Sequence, residues 1–209
     1  VLIAEQLMLL LLDPERGTLV VRRDDTDPDR LASAALLLDL GDQRKLGFHG
    51  GHVDLYARFP AGMPILDSVA EVIAGSGPGL PLASALDLIE MRAAPVSRAL
   101  LDGLHRRDLL HRLREPSWWP WAPLTYPLRS TQARNETIAT LRAGVQHAAR
   151  LRGLGLLLLV DCAGRLADFL DGQAHAIATE ALLSLGQRHE RASVDEQFLT
   201  ALRGVLLAD

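Results

Sequence analysis

Apolar residues at helical spacing, closed off by glycine or proline, recur along nearly the whole chain, and this repeated pattern limits the fold more than any single motif does. Leu2, Ile3, Gln6, Leu7, Leu9 and Leu10 read as a buried helix ended by the turn Asp13-Pro14-Glu15-Arg16-Gly17. A short strand is expected over Thr18 to Val21, and Asp29 then caps a second helix through Leu31, Ala35, Leu38 and Leu40, with Gly41 as its stop. Lys45 to His49 and His52 to Arg58 both alternate around Gly50-Gly51, the pair that supplies the positive φ angles of a two-residue hairpin turn. Helical stripes resume with Ile65, Leu66, Val69, Val72 and Ile73, ended by Gly75-Ser76-Gly77-Pro78-Gly79, and continue with Leu82 to Ile89. Pro95 suits a first helical turn, with Val96, Leu100, Leu101 and Leu104 as the apolar face behind it. Leu109 to Leu113 pairs with Leu124 to Leu128 as a second hairpin. From Glu136 onward the pattern is helical: Ile138, Leu141 and Val145, then Leu156 to Phe169, Ile177 to Leu185 and Phe198 to Leu206, punctuated by Gly153 and Gly172. The expected architecture is mainly α, one helical domain over 1–209 with inserted β-hairpins. Leu9, Leu10, Leu37, Leu38, Val69, Leu101, Leu157, Leu166 and Cys162 are its expected core.

Composition narrows the function classes. A formal charge of −4 and a pI near 6.0 argue against a general nucleic-acid binder, which needs a basic face to neutralise phosphates. Cys162 is the only cysteine, so no intramolecular disulfide forms, and a reducing cytoplasm is expected. The longest apolar runs, Leu7 to Leu12 and Leu154 to Val160, fall short of the roughly 20 residues that span a bilayer. No secretory leader is expected, and the start at Val1 suggests that residues upstream are not included.

The chain's three tryptophans share one window, Trp118-Trp119-Pro120-Trp121, between prolines that interrupt any helix. At the tip of the second hairpin they form either an insertion point for a membrane or subunit contact, or a tip folded back on its own domain. The segment before them is basic: from Arg92 to Arg114 six arginines face Asp102 and Asp108, a local balance of +4 in an acidic chain. Other chemistry finds little support. His49, His52 and Asp54 lie close in sequence but lack further ligands, so no metal is expected. The Gly75–Gly79 run has a proline and no following lysine, which makes it a turn rather than a nucleotide cradle. No nucleophile elbow or paired-carboxylate arrangement is present, and a non-enzyme without cofactors is expected.

Taken in order, these segments resemble the Golgi phosphoprotein 3 family, peripheral membrane proteins that recognise phosphatidylinositol 4-phosphate and have bacterial relatives. The resemblance is carried by Glu5-Gln6-Leu7-Met8-Leu9-Leu10-Leu11-Leu12 with the acidic turn to Gly17, by Ala34-Ala35-Leu36-Leu37-Leu38-Asp39-Leu40, and by Pro64-Ile65-Leu66-Asp67. It continues through Val96 to Leu110, Leu124-Thr125-Tyr126-Pro127-Leu128, Leu156 to Leu170 and Ala174 to Leu185. It implies a cytoplasmic bacterial protein, peripherally attached to anionic phospholipid, that associates with itself through the tryptophan hairpin and binds no nucleic acid. It also implies a head-group site made of one tryptophan and three arginines. Here those positions hold Arg22, Ser33, Ala94 and Ser97, so none of the four is kept.

Arginines that could substitute lie within a few residues of the aligned positions: Arg22, Arg23 and Arg30 near the first, Arg92 and Arg98 near the second. Guanidinium is well matched to phosphate oxygens, so these five are the candidate head-group residues, with Trp118, Trp119 and Trp121 as the candidate membrane or subunit contact. Two alternatives stand beside this reading. Val96 to Arg112 also resembles a recognition helix entering a basic wing, as in a winged-helix regulator, and the chain could be a structural oligomer that has lost lipid binding.

Overall fold

The structure, a computed structural model, describes residues 1–24, 26–56, 62–93, 95–114, 123–146, 151–185 and 192–208. Its centre is helix α1 (Ile3–Leu11), buried at all nine residues. A helix buried on every side needs neighbours on every side. These are α2 (Pro28–Asp42), α5 (Val96–Arg106), α6 (Thr131–Gln146) and α7 (Leu151–Cys162).

Burying a helix also buries its unpaired terminal amides and carbonyls, which must find partners. At the start of α1 the Asp39 carboxylate, reaching from α2, accepts the N–H groups of Ile3 at 2.7 Å and Ala4 at 3.0 Å. Burial pushes the Asp39 carboxyl up to about 6, against the pull of those two amides. At the other end Arg165 donates to the carbonyls of Leu10 at 3.0 Å and Leu11 at 2.9 Å, and Arg134 to that of Leu9 at 3.4 Å. Both guanidiniums lie over the Phe169 ring, 5.3 and 6.0 Å from its centroid.

Asp27, not Asp29, caps α2: its side chain accepts the Asp29 N–H at 2.8 Å, with Pro28 in the first turn. Gly41 does not stop the helix but lies inside it, where a Cβ would meet Leu151 at 3.3 Å. The reversal falls instead at Arg44, which takes φ 57°. The first hairpin forms as expected, with β1 (Leu46–His49) against β2 (His52–Leu55) and Gly50 and Gly51 at φ 56° and 84°. A third strand, β3 (Leu80–Pro81), pairs with β2. Two residues ending in proline carry no alternation from which to foresee it. Helices α3 (Pro64–Gly75) and α4 (Leu82–Ala93) flank this sheet, and Pro95 stands just before α5, at its N-cap.

Thr18 to Val21 forms no strand: Leu19 makes one isolated bridge to Leu12, and Val20 donates to the Leu11 carbonyl at 2.8 Å. The second hairpin is present at its base, where β4 (Leu113–Arg114) pairs with β5 (Leu124–Thr125) and Leu110 bridges Leu128. The expected helix from Leu156 to Phe169 ends earlier. α7 stops at Cys162, Gly164 turns the chain at φ 70°, and a 3-10 turn (Leu166–Asp168) precedes α8 (Gly172–Leu185) and α9 (Val194–Leu207). Gly153 does not punctuate the helices; it lies within α7, and a Cβ on Gly144 of α6 would come within 3.3 Å of its carbonyl.

The eight expected core leucine and valine positions and Cys162 are all buried, and one apolar cluster joins α1 to α9. Among the described residues no helix is long and apolar enough to cross a membrane.

Candidate functional site

The starts of α2 and α5 meet. Pro95 offers α5 no side-chain cap, so its first-turn amides need an acceptor from elsewhere. The Asp29 carboxylate provides one, accepting the Ser97 N–H at 2.7 Å. Ser33, fully buried one turn along α2, donates its hydroxyl to the Asp29 carbonyl at 2.9 Å. Ser33 and Ser97, two positions at which the resemblance implies arginines, therefore both attach to Asp29. The third, Ala94, lies outside the described residues.

Helices α2, α4 and α5 pack on one another here, and they carry Arg30, Arg92 and Arg98. Arg30 is held by two carboxylates of α4, Asp87 at 2.8 Å and Glu90 at 3.1 Å. Burial keeps the Glu90 carboxyl above its ordinary range even with Arg30 beside it. Arg92 and Arg98 are exposed and form no ion pair among the described residues. The Tyr126 hydroxyl donates to Asp102 at 2.8 Å, with the Arg98 charge near it. Arg112 approaches the same Asp102 oxygen at 3.4 Å. The Tyr126 hydroxyl, buried and bonded to a carboxylate, is held above its usual pKa. This network fastens the base of the second hairpin to α5.

Arg22 and Arg23 are placed elsewhere. Arg22 pairs with Asp168 at 2.8 Å and its N–H goes to the Ala163 carbonyl, beside the end of α7. Arg23 is exposed next to Gly164. The five candidate arginines are thus divided: Arg30, Arg92 and Arg98 lie on α2, α4 and α5, with the Arg92 guanidinium toward Gly75 at the end of α3, and Arg22 and Arg23 lie against the α7 end. Trp118, Trp119 and Trp121 lie outside the described residues.

Nothing in the sequence marks Asp29 or Tyr126 as part of this region, and Asp102 enters only through the charge count of the basic segment. By position, Asp29 suggests a cap on its own helix. The only hint was the proline at the start of α5, which left the origin of the missing acceptor open.

A helical core with one hairpin before α3 and a second between α5 and α6 defines the class of fold. The family model of Golgi phosphoprotein 3 (GPP34) matches residues 3–181, and the chain belongs to that family. The match runs from the first residue of α1 into α8, taking in both hairpins. No curated protein matches the chain.

Proposed function

We propose that this chain is a non-enzymatic peripheral membrane protein that attaches to anionic phospholipid, with phosphatidylinositol 4-phosphate-type head groups as its preferred ligand. The observation that carries the reading is the different use of its arginines. Arg22 and Arg30 are occupied by carboxylates, whereas Arg92, Arg98, Arg106 and Arg114 are exposed and form no ion pair among the described residues. These four lie on the last turn of α4, along α5 and on β4, the segment that leads into the second hairpin, while Arg16, Arg23 and Arg142 are likewise exposed without an ion pair among the described residues but are scattered elsewhere. Arginine presents a planar fork to phosphate oxygens, and each basic residue near an anionic bilayer contributes on the order of 1 kcal/mol. Four such residues are enough for reversible attachment, and the tryptophans of the hairpin add apolar insertion.

Asp29 shapes how a head group is received. Its carboxylate already occupies the start of α5, so the phosphate contacts this reading requires come from the unpaired Arg92 and Arg98. The test is vesicle flotation with neutral, generally anionic and phosphoinositide-containing lipids, with duplex DNA as a parallel ligand. Arg92→Glu and Arg98→Glu should each weaken binding to anionic vesicles about fivefold, the equivalent of roughly 1 kcal/mol. Equal binding of the wild type to neutral and anionic vesicles at low salt would falsify the reading. Salt-sensitive DNA binding without vesicle binding would favour the winged-helix alternative.

A further inference from the structure

The first turns of α1 and α3 and one face of α5 enclose a cleft of about 280 Å³, close to the lower end of small-molecule sites, roughly 300–1,000 Å³. Its walls are mostly apolar, with Leu2 from the start of α1, Met63 and Ile65 from the start of α3, and Leu100 from α5. Room is made by Ala99 and Gly103, one turn apart on α5. A cleft of this lining suits a hydrocarbon chain, since each methylene taken out of water is stabilising.

Its polar rim sets the sign of the ligand. Glu5 is the one carboxylate in the lining, and both its oxygens are engaged: Oε1 faces Arg107 at 2.6 Å and Oε2 accepts the Leu2 N–H at 3.0 Å. Arg106 also lines the cleft, and it forms no ion pair among the described residues. Its guanidinium folds back along α5, 3.7 Å from where a Cβ on Gly103 would stand. Asp67 in the first turn of α3 offsets the positive end of that helix, so the sign of the rim does not rest on it. With Glu5 neutralised by Arg107, the net charge at the rim is that of Arg106.

We propose that this cleft binds a free single-chain organic anion, an alkyl chain of medium length ending in a carboxylate, sulfate or phosphate. The chain lies between Leu2, Ile65 and Leu100, and the head group meets Arg106. The site is distinct from the Arg92 and Arg98 contacts, although Arg106 also belongs to the cationic segment proposed above to face the membrane.

The test is calorimetric titration of the full chain with monomeric decanoate, with decyltrimethylammonium and shorter carboxylates for comparison. Saturable binding of one decanoate is expected, weakening up to about fourfold for each methylene removed. The cationic analogue should not bind. Arg106→Gln should weaken decanoate binding about tenfold, since a charge-assisted contact is lost. Gly103→Leu should abolish it by filling the cleft; a new Cβ there meets nothing closer than the flexible Arg106 guanidinium, so the variant should fold, as its melting curve will show. The proposal is overturned if Gly103→Leu, melting like wild type, binds decanoate unchanged, or if the decyl cation binds as well as the anion. It is equally overturned if decanoate does not bind while Gly103→Leu loses vesicle binding, because the cleft would then serve bilayer lipid.

Discussion

Asp39 makes two amide bonds that hold the start of α1, yet its charge is buried, with Arg152 and Asp42 among the charges that act on it. Burial outweighs the two amides, so the proton is held more tightly than in the unfolded chain, and the sign of the consequence follows. A carboxyl whose folded pKa rises from 3.8 to about 6 binds its proton more tightly in the native state, so its contribution is fully present below pH 3.8 and is lost as pH rises through about 6. Roughly two units correspond to about 3 kcal/mol. Urea unfolding from pH 4 to pH 7 should therefore show wild type losing stability relative to Asp39→Asn by about that amount. Parallel pH profiles for the two proteins would remove Asp39 from the account, whatever their absolute stabilities. Arg152 ties the same region together by donating to the Val1 carbonyl, to Gln6 at 3.1 Å and to Asp42 at 3.2 Å.

Between elements, the closest constraint on the second hairpin comes from Gly17. It takes φ 69°, and a Cβ there would stand 2.3 Å from the Pro127 nitrogen and 2.4 Å from the Tyr126 carbonyl carbon, both backbone atoms. The turn after α1 thus holds the strand that returns from the hairpin, and the Gly17 carbonyl accepts the Tyr126 N–H at 2.7 Å. Gly17→Ala combines a disfavoured left-handed conformation with a backbone clash and should lower stability by about 2–4 kcal/mol, read as a drop in Tm. An unchanged Tm would mean that the hairpin base is not fixed by this contact. The turn itself was legible in the sequence; its partner was not, because 109 positions separate Gly17 from Tyr126. The same division runs through the fold. Stripes of leucine at helical spacing located α1, α2, α3 and α5, since periodicity is a local property of the chain. The Asp29–Ser97, Asp39–Ile3 and Arg165–Leu11 bonds cap helices from distant segments, and no local pattern announces them. The end of α7 is an intermediate case: Gly164 was visible, but leucine on both sides of it made one helix look continuous.

On the scale of the whole molecule, a chain of net charge −4 reaches an anionic surface only in an orientation that presents its basic segment and turns its acidic one away. The acidic residues Asp24, Asp27 and Asp29 stand at the entry to α2, and Asp29 bonds Ser97 directly before Arg98, so the two segments adjoin. Attachment through α5 is therefore expected to be shallow and sensitive to screening, with the tryptophan window supplying whatever part of the affinity survives salt. Screening shortens from about 10 Å at 0.1 M to about 3 Å at 1 M, which separates the two contributions. Wild-type protein should float with anionic vesicles strongly at low salt and retain a reduced fraction at high salt. Replacing Trp118, Trp119 and Trp121 together by serine should remove that retained fraction and leave the low-salt electrostatic part, with helical circular dichroism unchanged. If the triple variant loses its helical signal instead, the tryptophans belong to the core of the protein. If it keeps both its fold and its salt-resistant binding, the hairpin tip takes no part in membrane contact.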